Sequence, residues 1–176
     1  MIDYIPPTSV HFPEDDIRTI QAGLGEILRS GRLTLGEHTK EFETSFAAYC
    51  GTQHAIATSS GTSALEIVLR ALRLEDCSVI VPTNTFFATA AAVVHASLRP
   101  IFVDCDETLS LDMDSLRAAV TPDTKAVIVV HIGGFISPRI DEIVAFCQER
   151  NLYLIEDAAH AHGSSFEGRR AGTFGH

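Results

Sequence analysis

The sequence predicts an α/β protein: a three-layer α/β/α arrangement around a mostly parallel sheet. Two observations carry this. Short apolar runs alternate with stretches of helical periodicity from residue 54 onward, the pattern of strands joined by crossover helices. Polar or glycine-bearing segments also follow several of these runs, and in an open parallel sheet ligands bind outside the carboxyl ends of the strands.

Composition narrows the class. With 176 residues, 45% hydrophobic and 20% charged, the chain is of globular type and long enough to bury a core. No apolar run is long enough to span a bilayer, and the N-terminus lacks a basic region followed by an apolar one, so a cytoplasmic location is expected. A net charge of -10 and scattered basic residues argue against a nucleic-acid surface. Cys50, Cys77, Cys105 and Cys147 have no zinc or redox spacing and read as buried free thiols.

Residues 1–13 read as an extended arm. Ile17, Ile20, Leu24, Ile27 and Leu28 have helical spacing over Glu14–Ser30, with acidic residues in the first turn and Gly31 as a terminator. A second helix is expected over about Glu37–Tyr49. Strands are expected at His54–Ala57, Val79–Val81, Ile101–Val103, Ala126–Val130 and Leu152–Ile155. Helices are expected at about Thr62–Leu74, Thr85–Ala96, Met113–Val120 and Pro138–Arg150. The division is thus an arm and two helices over residues 1–51 and an α/β domain over residues 52–176. No internal repeat or low-complexity segment interrupts either.

Four stretches are candidates for chemistry. Thr58-Ser59-Ser60-Gly61-Thr62-Ser63 puts hydroxyls and free backbone N–H groups at a helix start, which suits an anion; simple N-capping suits it equally. Pro82-Thr83-Asn84-Thr85-Phe86-Phe87-Ala88-Thr89 offers an aromatic ring for a planar heterocycle, with at least one phenylalanine assigned to the core. Asp104, Cys105, Asp106 and Glu107 form a solvated acidic turn, whereas His131-Ile132-Gly133-Gly134 has the backbone of a site loop. A histidine satisfied by local backbone groups is the ordinary reading of His131. Glu156-Asp157-Ala158-Ala159-His160-Ala161-His162 ends a buried strand. Asp157 could hold a protonated ring nitrogen and His160 could donate to a phenolic oxygen; metal binding and a structural cap are the rivals.

The order and spacing of these stretches resemble the sugar aminotransferases, pyridoxal-phosphate enzymes of the DegT/StrS type with the aspartate-aminotransferase fold (fold type I). The likeness includes Ser30-Gly31-Arg32, Gly36 and Phe42-Glu43, then Ser60-Gly61-Thr62-Ser63-Ala64-Leu65 and Val81-Pro82. It continues through Thr85-Phe86-Phe87-Ala88-Thr89, Val103-Asp104, His131-Ile132-Gly133-Gly134 and Glu156-Asp157-Ala158-Ala159-His160. The resemblance implies pyridoxal 5'-phosphate as cofactor and residues 52–176 as its binding domain. Gly61, Thr62 and Ser63 would hold the phosphate and Phe86 would stack on the ring, leaving Phe87 to the core. Asp157 would pair with the ring nitrogen and His160 would sit near the ring hydroxyl; no metal is implied. The substrates would be a nucleotide-linked keto-sugar and an amino donor, glutamate, in polysaccharide biosynthesis. The full-length protein would be a homodimer, with neither membrane nor nucleic acid as partner.

One departure matters. The family's Schiff-base lysine follows a serine-containing strand beyond a Gly-Thr-Phe-Gly motif, here Gly172-Thr173-Phe174-Gly175, one residue before the last, His176. The two lysines, Lys40 and Lys125, do not match that position. The chain therefore reads as the N-terminal portion of such an enzyme, without its catalytic lysine or small C-terminal domain, and inactive alone. A non-catalytic relic or interaction protein is the alternative. A sugar dehydrase of the same family, with histidine in place of the lysine, is the second.

Overall fold

Four parallel strands, β1 (Ser78–Pro82), β2 (Arg99–Val103), β3 (Thr124–Val130) and β4 (Tyr153–Asp157), form a sheet in the order β2-β1-β3-β4. The computed structural model describes residues 9–176; most of the arm expected over residues 1–13 lies outside them. Helices are α1 (Glu14–Ser30), α2 (Glu37–Cys50), α3 (Gly61–Ala71), α4 (Phe87–His95), α5 (Met113–Ala119) and α6 (Ile140–Glu149). By compactness the chain divides into a unit ending at Phe42 and a second unit, Glu43–His176.

In the first unit α1 begins after Pro13 with three acidic residues in its first turn. It ends where the Gly31 amide donates to the Ile27 carbonyl at 3.1 Å, as the sequence pattern requires. In the second unit, side chains alternate across the sheet with the strand period of two. Ile80, Val127, Val129 and Leu154 join Leu116 of α5 and Ile140 and Ile143 of α6 on one face. Val79, Val81, Ile128, Val130 and Ile155 join Leu65 and Leu69 of α3 and Ala92 and Val93 of α4 on the other. These two buried faces make the three layers.

The structure corrects two expectations here and adds one element. His54–Ala57 is not a strand: Ile56 is 79% exposed, so the run has no core face to bury. The Ala57 amide bonds instead to the Glu43 carboxylate at 2.8 Å. Cys77 and Cys147 are buried, but Cys50 and Cys105 are only half-buried. Burial raises the Cys77 thiol and pushes Cys147 up to about 12. A hairpin not expected from the sequence joins β5 (Ser165–Phe166) and β6 (Arg169–Arg170) through Glu167-Gly168.

The segment after this hairpin is pinned by Glu156, the penultimate residue of β4. Its side chain is 4% exposed. One carboxylate oxygen accepts the amides of Phe174 and Gly175 at 2.6 and 2.7 Å. The other accepts the Gly172 amide at 2.7 Å and His131 Nε2 at 2.9 Å. Burial alone would push this carboxyl up, but the bonds from His131, Gly175, Gly172 and Phe174 outweigh it and hold it below the usual range. Close docking also needs glycine at 175, where a Cβ would stand 2.5 Å from the Leu154 carbonyl.

Glu156→Gln should therefore destabilise the chain at pH 7 by about 2–4 kcal/mol, because either amide orientation turns an NH2 toward N–H donors. Since the native carboxyl is lowered, its contribution is present above the unfolded value, about pH 4.3 for glutamate, and fades as pH falls through the native one. Urea unfolding from pH 7 to pH 3 measures this as a gap between wild type and variant that closes in acid. Equal midpoints at pH 7 would contradict it.

Candidate functional site

The chain runs outward from β1 to β2 and then back across to β3. The crevice at the carboxyl ends of β1 and β3 is thus the point where strand order reverses, the place at which open α/β sheets bind ligands. A cleft lies there. After β1, Thr85, Phe86 and Ala88 line it; after β3, His131 and Ile132; at the end of β4, Asp157, Ala159 and His160. The start of α3 supplies Gly61, Thr62 and Leu65.

At α3, Ser60 is the N-cap: its side chain accepts the Ser63 amide at 3.1 Å and its carbonyl accepts the Ala64 amide at 3.0 Å. The amides of Gly61 and Thr62 are left without a partner among the described residues, at the positive end of an eleven-residue helix. A Cβ at Gly61 would meet nothing within 4 Å, so a ligand can approach this backbone closely. The capping and anion-site readings are compatible, because the cap consumes Ser63 and spares the two preceding amides.

Strand parity separates the two carboxylates that end β4. Glu156 follows Leu154 toward the α5–α6 face, and Asp157 follows Ile155 toward the α3–α4 face. Asp157 Oδ2 accepts the Thr89 hydroxyl at 2.8 Å, and Oδ1 accepts the Ala159 amide at 3.3 Å. His160 is exposed. Its Nδ1 accepts the Gly133 amide at 3.2 Å, which leaves the proton on Nε2 and makes that nitrogen a donor. The loop after β3 reaches His160 because residue 134 is glycine: its φ is +84° and a Cβ would lie 2.9 Å from the His160 carbonyl.

Of the candidate residues, Gly61, Thr62, Phe86, Asp157 and His160 come together in the cleft, and Ser63 is not among its lining residues. Phe87 is not core, a correction: it is 70% exposed because Ala88, Thr89, Ala92 and Val93 occupy the buried side of α4. Its ring lies 4.5 Å from that of Phe86, itself 65% exposed. His131 Nε2 bonds the Glu156 carboxylate rather than local backbone groups, and its Nδ1 is buried and bonds to no described residue. His162 packs edge-on against Phe46 at 5.7 Å. Asp104 is exposed on the acidic turn. Thr85 and Thr89 stood in a candidate stretch without a role of their own; the one signal for a role was a threonine recurring at i+4 at a helix start.

Comparison with known proteins identifies the family and the fold. Residues 14–176 match the family model described as the DegT/DnrJ/EryC1/StrS aminotransferase family. GDP-perosamine synthase of Caulobacter vibrioides is 41% identical over 144 residues, 81% of this chain and 38% of that protein. The aminotransferase of Psychrobacter cryohalolentis superposes with a TM-score of 0.85 at 34% identity, over 94% of this chain and 42% of that one. The E. coli GDP-4-keto-6-deoxy-D-mannose-3-dehydratase with bound hydrated PLP gives 0.85 at 34%, over 97% and 44%. The chain spans about two fifths of the length of the curated relatives it matches, from 38% to 44%. On the family match and the shared architecture, this chain belongs to the DegT/DnrJ/EryC1/StrS aminotransferase family.

Proposed function

We propose that this chain forms the cofactor-binding part of a pyridoxal-phosphate enzyme that transfers an amino group, drawn from glutamate, to a nucleotide-linked keto-sugar. The observation that carries the reading is the meeting, in one cleft, of the unpaired Gly61 and Thr62 amides with the Asp157 carboxylate. That donor set suits a ligand with an anionic group at one end and a cationic ring nitrogen at the other. The residues fit pyridoxal phosphate on this count.

When bound, the cofactor supplies an electron sink for chemistry at the amino-bearing carbon. The chain's own residues bind and orient it. Gly61 and Thr62 hold the phosphate through backbone N–H groups at the positive end of α3. Asp157 accepts a hydrogen bond from the ring nitrogen and favours its protonated form. His160 donates from Nε2 toward the ring hydroxyl, and Phe86 offers its exposed face to the ring.

Neither lysine serves this cleft in our reading. Lys125, the second residue of β3, lies at the amino end of the strand and donates to the Pro122 carbonyl at 3.2 Å; Lys40 pairs with Glu37 on α2 at 3.1 Å. The sugar substrate rests on the names of relatives such as GDP-perosamine synthase. Sugar dehydration on the same scaffold is the second reading, favoured by the equal likeness to the E. coli dehydratase.

Pyridoxamine 5'-phosphate, which needs no lysine, should bind this chain saturably. Asp157→Asn, which turns an acceptor into a donor of the same shape, should weaken it on the order of thirtyfold, ~2 kcal/mol. Fluorescence titration measures both, with circular dichroism to verify the fold; equal affinities would refute the role of Asp157. Borohydride reduction in the presence of pyridoxal phosphate should leave no stoichiometric adduct on Lys40 or Lys125 in peptide mass maps. A full adduct on either would overturn the reading that neither lysine serves the cleft.

A further inference from the structure

Thr89 is a polar residue at 0% exposure in the first turn of α4. A buried hydroxyl is costly unless bonded, and this one has two partners: Asp157 Oδ2 at 2.8 Å and Thr85 Oγ1 at 2.7 Å. The direction of both bonds follows from the inventory of protons. A carboxylate brings none, so Thr89 donates its single proton to Asp157. The Thr89 oxygen then meets Thr85 as acceptor, so Thr85 donates. The result is a directed chain from the Thr85 hydroxyl through Thr89 to Asp157. Thr85, one turn before Thr89, itself lines the cleft.

From this geometry we infer that Thr89 is a positioning residue for Asp157. Its hydroxyl, oriented by Thr85, holds the carboxylate in the one rotamer that presents its remaining acceptor capacity to a ring nitrogen in the cleft. The inference rests on the cofactor reading above and adds to it the element that aims the carboxylate. The Ala159 amide, at 3.3 Å from Oδ1, is the longer of the two contacts and lies on the loop that follows β4. Thr89, on the buried side of the first turn of α4, supplies the shorter hold from a regular helix. Valine at 89 would keep the shape and remove the donor. Serine would keep the donor and remove a methyl group. The two substitutions therefore separate positioning from packing.

The test uses the isotopically labelled chain. Three-bond couplings to the Asp157 carboxyl carbon report its χ1 rotamer, and pyridoxamine 5'-phosphate titration reports affinity. Wild type and Thr89→Ser should show couplings of a single staggered rotamer, and Thr89→Val should show averaged values. Affinity should fall about tenfold in Thr89→Val, about threefold in Thr85→Val, which loses only the second link, and stay within twofold in Thr89→Ser. A single Asp157 rotamer in Thr89→Val, unchanged affinity in that variant, or failure of serine to restore either readout would overturn the inference. If Asp157→Asn weakens binding while Thr89→Val does not, the positioning role fails and the cofactor reading stands. If Asp157→Asn binds as wild type does, the cofactor reading fails, and the couplings alone decide whether Thr89 holds the carboxylate.

Discussion

The end of β4 is the constraint on which the site depends. A strand sends successive side chains to opposite faces, so its last two residues, both carboxylates, never share a task. Glu156 turns to the face of Leu154 and gathers the His131 ring and the amides of Gly172, Phe174 and Gly175. Asp157 turns to the face of Ile155 and α4 and looks into the cleft. A one-residue slip of β4 against β3 would exchange them, and the register prevents it: Val129 pairs with Glu156 and Val130 with Asp157 through five parallel partners.

The two carboxylates also differ in what surrounds them. Glu156 has its acceptor capacity taken by four donors, which makes it an anchor with little left for a ligand. Asp157 has one hydroxyl and one longer amide contact, which leaves acceptor capacity directed at the cleft. The histidines divide in the same way. His131 is spent on Glu156, whereas the Gly133 amide takes His160 Nδ1 and frees its Nε2 to donate. The polar atoms nearest the cleft are therefore those whose hydrogen bonding the scaffold leaves incomplete.

Much of this was legible in the sequence because it rests on short-range patterns. The strands were read from runs such as Ala126–Val130, and their observed bounds differ from those runs by one or two residues at an end. Acidic starts and glycine stops placed α1, and motif order brought Gly61, Thr62, Phe86, Asp157 and His160 into one list that the fold gathers into one cleft. What was not legible depends on tertiary partners. Ile56 has the right neighbours for a strand and no sheet to join. Phe87 sits beside an aromatic residue of identical type, and only the helix phase of α4 turns it outward. The Thr89–Asp157 bond links residues 68 apart, and no local signal reports such a pair. Strand parity at Glu156-Asp157 was available in principle, since it follows from the position of Leu154 and Ile155 alone.

The central claim is that a phosphate-bearing pyridine ligand binds at the carboxyl ends of the strands, with its anionic end at α3 and its ring nitrogen at Asp157. Amide chemical-shift mapping of the labelled chain during titration with pyridoxamine 5'-phosphate tests it most directly. The account predicts the largest saturable shifts at Gly61, Thr62, Gly133 and Ala159, with Lys125 and Arg150 at the other end of the sheet unmoved. Shifts confined to residues 120–125 and 149–153, or no saturable shift at Gly61 and Thr62, would contradict it.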